Sequence, residues 1–481
     1  MRTTVAELVP VTEMLNESPA GGNTAELLET FDRHVKKPVT ADLGSVLERT
    51  DVQSSIGSFH ILPKYQIAYP EVVIQALGRL YAEYNQAFIP AMEKNREWNS
   101  DYKHCMHAGL PVNFAVQIDM VGLPESFLQA AESMSVEEVL EILRRRTFEI
   151  ENSLAMYQLL EVCCSNGTDS FFKKRFRPVL SKVRKRHGKK VALLAVTQQK
   201  YDAMLTSEFG KQPGEVITDD EVKVLSGFDR FFGPDSFRQY LSENDGKCGY
   251  LLYVRSSDPV SKLKDPSAEV EHPLLSDPVM RKLIKAHAVT LNVDAPRMDH
   301  SRRINDTKEY QPRIGMAFAI DSEEDLFTLE FATHLYGGKA YADFSGPRLS
   351  KTFIAYLEEQ GIDPQAVELG RQSLRFKPIK LAYGCYGHVT GALTDQKVRG
   401  ELRRQMRQRG AYCVQPEFPT PEITNIDGTT YAYIDRNFMA FINGQPQFIG
   451  GFRSMMPLGC HELKKGRNHG NGSTVWAEIV S

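Results

Sequence analysis

The sequence predicts a mixed α/β (α+β) protein. Three observations predict it. Helix-period apolar stripes dominate the first 188 residues. Short continuous apolar runs alternate with helical stretches over 189–345. Long alternating strands joined by glycine turns fill 346–481. These give three expected units: a helix-rich N-terminal region, an α/β layer, and a C-terminal domain with an antiparallel sheet.

In the first unit, Val72, Val73, Ala76, Leu77, Leu80 and Tyr81 repeat at helical spacing, continued by Tyr84 and Phe88. That spacing puts them on one face. A second helix is announced by the capping box Ser135-Val136-Glu137-Glu138, with Val139, Leu140, Ile142 and Leu143 behind it. It is expected to continue through Phe148 to Val162. Between the two blocks, Val112 to Val121 reads as a strand. Lys173 to Lys190 is the one strongly basic run. Phe171, Phe172, Phe176, Val179, Leu180 and Val183 give it an apolar face, so it reads as a solvated helix and linker rather than a nucleic-acid patch.

The texture changes at Lys190. Val191 to Val196 and Tyr250 to Val254 are short runs of the kind buried on both faces of a parallel sheet. A helix over Pro278 to Ala286 leads to a further expected strand, His287 to Val293.

In the last unit, Leu374 to Leu381 is a strand carrying Lys377 and Lys380, and it enters a turn spaced by Gly384, Gly387 and Gly391. Glycine lets backbone N–H groups turn toward an anion. No Gly-Lys-Ser/Thr closes this turn, so it is not a P-loop, and the glycine spacing is not that of a dinucleotide fold. An arginine-rich helix, Lys397 to Arg409, is followed by Val414-Gln415-Pro416-Glu417-Phe418. A strand from Tyr431 to Ile442 then turns at Asn443-Gly444 into Gln447 to Arg453.

Composition bounds the rest. The chain has 481 residues and a formal net charge of −3, so no overall field favours nucleic acid. Met1 to Leu15 lacks the apolar core of a secretory signal, and no apolar run is long enough to span a bilayer. The seven cysteines are scattered and odd in number, which fits free thiols and a cytoplasmic location. His104 and His107 stand three residues apart, with no second ligand pair at zinc spacing.

The order from Leu349 onward resembles the nucleotide-binding half of the ATP-grasp family. Lys351 opens a helix that runs to Gly361-Ile362-Asp363-Pro364. The lysine strand, glycine turn, hinge and Asp435-Arg436 strand then follow in the family's order. The resemblance covers about the last third of the chain. It implies an ATP-dependent carboxylate–amine ligase, with ATP and Mg²⁺, that joins small molecules such as amino acids through an acyl phosphate. Lys351 and Lys377 would hold phosphates, with Lys339 and Lys380 as rivals. Gly384 and Gly387 would form a lid, with His388 facing the phosphates. Gln415, Glu417 and Phe418 would meet the adenine. Arg436 and Arg453 would brace the γ-phosphate or the substrate carboxylate, where a guanidinium fork fits. Their alternative reading is strand arginines paired with Glu417 or Asp435.

The metal pattern departs from the family, which places Glu-x-Asn near the domain end. Here Glu478, with Asn468 upstream, is the first choice. A permuted order, as in eukaryotic glutathione synthetase, would point to Asp119 or to Glu149-Ile150-Glu151-Asn152. The partners expected are small-molecule carboxylate and amine substrates and a second copy in a homodimer, with no nucleic acid and no membrane. Three other readings stay open: a non-catalytic binding protein on this scaffold, a phosphotransferase, and a nucleic-acid binder through Lys173 to Lys190, against which the near-neutral overall charge speaks.

Overall fold

The computed structural model describes residues 24–41, 50–54, 57–94, 115–151, 171–255, 274, 277–287, 318–320, 326–336, 339–359, 361–378, 389–409, 412–417, 419–442, 445–458 and 474–481. Its strands run in chain order: β1 (Val39–Ala41), β2 (Thr50–Ser54), β3 (Gly57–Ala68), β4 (Ala115–Val121), β5 (Thr147–Glu151), β6 (Lys190–Ala195), β7 (Arg230–Phe232), β8 (Tyr250–Arg255) and β9 (Phe318–Ile320). They continue with β10 (Phe327–Tyr336), β11 (Lys339–Leu349), β12 (Leu374–Pro378), β13 (Val389–Gly391), β14 (Tyr412–Pro416), β15 (Glu422–Asn425), β16 (Thr430–Ile442), β17 (Gln445–Pro457) and β18 (Thr474–Val480). The fold is mixed α/β, with helices and four sheets interleaved among the described residues.

The largest sheet has nine strands in the order β1-β15-β16-β17-β18-β3-β2, with β4 and β5 branching from β16. It therefore joins strands from the first 151 residues to the last 60 (422–481). Its spine is the β16–β17 hairpin, paired from Tyr431↔Pro457 to Ile442↔Gln445, with a bulge between Phe438 and Met439.

Each face of that spine has its own core. Met439, Phe448, Ile479, Ile118 and Met120 pack with the Glu71–Lys94, Glu125–Ala131 and Val136–Arg146 helices. On the other face Phe438, Ala440, Ile449 and Phe452 pack with Phe176, Val179 and Leu180 of the Phe171–His187 helix. Alternation along a strand sends consecutive residues to opposite faces, so each pleated strand feeds both cores.

The Lys190 region forms a three-stranded parallel sheet, β7-β6-β8, as its apolar runs predict. A four-stranded antiparallel sheet, β13-β12-β14-β9, lies in the C-terminal part. Its apolar face presents Leu374, Phe376, Val389, Tyr412 and Val414 to Phe353, Tyr356 and Leu357 of the Lys351–Glu359 helix and to Leu402 of the Gln396–Arg409 helix. β10 and β11 pair as a separate antiparallel hairpin.

Two expectations are corrected. The capped helix does not continue past Arg146: residues 147–151 are β5. The box itself forms as read, with Ser135 Oγ accepting from Glu138 N and the Glu138 carboxylate accepting from Ser135 N. β-Branched Thr147 leaves the helix in extended geometry and bonds its hydroxyl back to Leu143 O at 2.7 Å. β5 then pairs with β4, and that pairing outweighs the helical spacing of the sequence. His287 ends the Pro278–His287 helix rather than opening a strand, and residues 288–293 of the expected strand lie outside the described residues. The pairs His104/His107 and Cys163/Cys164 lie outside the described residues. No helix among the described residues is long and apolar enough to cross a membrane.

Candidate functional site

Two polar regions gather the residues that the sequence singled out. The first is the small sheet. On β12, Arg375 pairs with Gln415 and Lys377 with Cys413 across to β14. Arg375 and Gln415 alternate with buried Leu374, Phe376 and Val414, so they belong to the face away from the covering helices. Arg375 stands 3.5 Å from the Glu417 carboxylate, and Gln372 donates to Glu417 O at 2.7 Å. Gln415 is buried. Five residues, Glu417 to Pro421, separate β14 from β15, which lies between β1 and β16 in the nine-stranded sheet. The expected hinge is thus the covalent link between the two sheets.

Lys351 is placed elsewhere. It is exposed and opens the helix that covers the small sheet's apolar face. Gly384, Gly387, His388, Phe418 and Asn468 lie outside the described residues, as does Lys380.

The second region is the spine of the large sheet. Its two arginines stand on opposite faces. Arg453 is 3% exposed and holds Asp435 through two bonds, Nε to Oδ1 at 2.7 Å and Nη2 to Oδ2 at 2.8 Å. Nη2 also donates to Leu123 O at 2.6 Å. Asp435 in turn accepts from Tyr69 Oη and from Leu123 N, each at 2.7 Å. The Tyr433 ring lies 4.2 Å from the Arg453 guanidinium carbon. Burial opposes the charge on Arg453, but the Asp435 carboxylate more than reverses this and raises its pKa above the ordinary value. Burial, and then Asp435 beside it, push the Tyr69 phenol well above its ordinary value.

The other face carries a row in register: Glu149, Asp119, Arg436, Phe452, Glu478 and Gln66, one from each of β5, β4, β16, β17, β18 and β3. Arg436 Nη1 donates to Asp119 Oδ2 at 2.6 Å, and Gln117 Nε2 donates to Asp119 Oδ1 at 2.9 Å. Gln66 Nε2 donates to Glu478 Oε2 at 3.0 Å. Gln117 is fully buried, and its Oε1 has no hydrogen-bond partner. Such an atom suits a bound water or a ligand donor.

The row brings together the candidate metal ligands Asp119, Glu149 and Glu478, but the described side chains do not assemble an ion site. Asp119 is occupied by Arg436, and Phe452 separates Arg436 from Glu478. Among the described residues no group of three His, Cys, Asp or Glu side chains could hold a metal. Gln117, Gln66 and Tyr69 were not singled out in the sequence. One signal was available for Gln117: in Val116-Gln117-Ile118-Asp119-Met120, polar residues recur every second position inside an apolar strand.

No protein-family model matches the chain, and no curated protein matches it. Among solved structures, the chain is similar to a glutathione synthetase-like effector from Globodera pallida in its apo form. The likeness covers 91% of this chain and 96% of that one, at 8% sequence identity and a TM-score of 0.38.

Proposed function

We propose that this chain is an ATP-grasp-like protein that binds ATP against the polar face of the small sheet and joins a carboxylate to an amine. The observation that carries this reading is the β12–β14 register. It sets Arg375 opposite Gln415 and Lys377 opposite Cys413, on a strand pair that runs straight into the link to the large sheet. A triphosphate requires fixed cations beside it, because its transfer is largely a matter of positioning and charge stabilisation. Lys377 and Arg375 supply those cations here, and the adenine would lie at the end of β14, beside Gln415. The substrate carboxylate oxygen attacks the γ-phosphorus, and the bond to ADP breaks. The amine nitrogen then attacks the acyl carbon, releasing phosphate and a proton. Among the described residues the carboxylate, imidazole and thiol side chains do not form a site for Mg²⁺. In this reading Arg453 is a structural residue, since Asp435 and Leu123 O occupy its fork.

The state of the two arginines favours a second reading, a binding protein without turnover. Both Arg436 and Arg453 already hold carboxylates inside the sheet. One experiment separates the readings. Nucleotide affinity is measured by calorimetry for the parent chain and for Lys377→Ala, and ADP release is followed with a panel of amino acids and hydroxylamine. The ligase reading expects nucleotide binding that Lys377→Ala abolishes, ADP release, and a hydroxamate. Nucleotide binding without ADP release supports the second reading. Unchanged ATP affinity in Lys377→Ala removes the site assignment.

A further inference from the structure

The Phe171–His187 helix carries no acidic residue and is basic along most of its length. Its two sides differ sharply. Phe176, Val179, Leu180 and Val183 are buried against the large sheet and the parallel sheet. Lys174, Arg175, Lys182, Lys185 and Arg186 are exposed, as are Lys189 and Lys190 immediately after the helix. At 3.6 residues per turn those five helical cations fall within an arc of roughly 120°. They span about 18 Å along the axis, from a rise of about 1.5 Å per residue.

The structure also separates the cations that hold the fold from those that do not. Arg184 is drawn inward to Asp229, with Nε to Oδ2 at 2.6 Å, and bonds Gly227 O. Arg177 donates to Val224 O at 2.6 Å. Asp229 also stands 3.9 Å from Lys223. Arg175 donates to Ser481 Oγ at 3.4 Å, beside the chain's C-terminal residue. Lys174, Lys182, Lys185 and Arg186 have no carboxylate partner among the described residues. The Gln396–Arg409 helix differs: its own acid, Glu401, pairs with Arg404. On a chain of net charge −3, the outer face of the Phe171–His187 helix is a local concentration of uncompensated positive charge.

We propose that this face binds the phosphate backbone of duplex nucleic acid without reading its sequence. Three features select that partner. The cations lie along one side of the helix, and each strand of a duplex presents a line of phosphates about every 3.4 Å of axis. Among the described side chains of the helix the exposed ones include no aromatic, so they lack the stacking platform that single strands use. The helix has already buried its apolar side in the protein, so it has none left to insert into a lipid surface. This role is independent of the nucleotide site proposed above.

The test uses the full chain and a labelled 20-base-pair duplex of scrambled sequence, as DNA and as RNA, followed by fluorescence anisotropy from low to physiological salt. Binding is expected to weaken with salt at a log–log slope of about −4, the value for four to five phosphate contacts. The exposed triple variant Lys182→Glu/Lys185→Glu/Arg186→Glu is expected to lose at least about tenfold in affinity, since reversal removes and opposes three contacts. A control of equal net charge, Lys397→Glu/Arg403→Glu/Arg407→Glu on the Gln396–Arg409 helix, is expected to stay within about twofold. Thermal melts check that both variants stay folded. The Gln triple at positions 182, 185 and 186 repeats the measurement without added repulsion. The proposal is overturned if the duplex does not bind at low salt. Equal loss in both triples would also overturn it, as would binding to phosphatidylserine vesicles but not to the duplex.

Discussion

The two faces of the β16–β17 hairpin carry the same kind of pair, an arginine against an aspartate, in opposite states of completion. On the face packed by the Glu71–Lys94 helix Asp435 accepts from Arg453 twice, from Tyr69 and from the Leu123 amide. Its lone pairs are spent, and the charge is closed off. On the other face Asp119 holds Arg436 and Gln117, while Gln117 keeps a fully buried oxygen without a partner. A buried ion pair is costly to make and more costly to break, because removing one partner strands the other. The saturated face is therefore the one expected to lock the chain together. It ties Tyr69 and Leu123, early in the sequence, to strands that close the sheet near its end. Each face keeps one buried acceptor without a partner, Gln117 Oε1 on one and Asn437 Oδ1 on the other, so the faces differ in how fully their aspartates are held rather than in spare bonding capacity.

The largest effect should come from Asp435→Asn, which strands Arg453 and weakens the bonds from Tyr69 and Leu123. A loss of about 3–5 kcal/mol is expected in denaturant melts. A loss below about 1 kcal/mol would mean that the saturated face does not hold the fold. Asp119→Asn removes one guanidinium contact and one amide contact, so its cost is expected near the lower end of that range, about 3 kcal/mol. If it matched or exceeded Asp435→Asn, the ranking of the two faces would be reversed.

Tyr69→Phe deletes one hydrogen bond to a charged acceptor and should cost about 1.5–3 kcal/mol. It carries a pH signature as well. The folded phenol is held protonated above its ordinary value of 10.0, while the unfolded chain ionises near that value. The stability from this group is thus complete below pH 10 and falls as pH rises toward the folded pKa. The parent chain should lose stability on that alkaline limb, and Tyr69→Phe should flatten it. An equally steep limb in the variant would place the titration elsewhere. The smallest effect is expected for Glu478→Gln. It keeps the shape of the Gln66 contact and should change stability by about 1 kcal/mol or less.

Much of the fold is legible in the residues. The Ser135–Glu138 box starts its helix where the side chains demand it. The runs at Val191 and Tyr250 become neighbouring parallel strands of one sheet, and the strand around Tyr431 to Ile442 pairs through a tight turn with the next. Each is a local signal, a cap or a period read within about ten residues. The failures are also local in kind. The stretch after Arg146 has helical spacing, but a strand beside β4 gains more from pairing. The site was less legible than the fold. Lys351 looks like a neighbour of the small sheet's lysine strand along the chain, yet it stands exposed at the start of the helix that covers that sheet's apolar face. Arg436 and Arg453 look alike, yet an odd spacing of 17 residues across a bulged hairpin sends them to different cores.

The residues alone determined the fold class, the helix starts, the strand periods and the basic and apolar sides of the Phe171–His187 helix. These depend on rotation and alternation of a few neighbouring side chains. Tertiary structure decided which charges meet. Asp435 reaches Tyr69 across 366 positions and Asp119 reaches Arg436 across 317. No local period encodes such distances, and only the closing of one sheet from both ends of the chain brings those groups within bonding range.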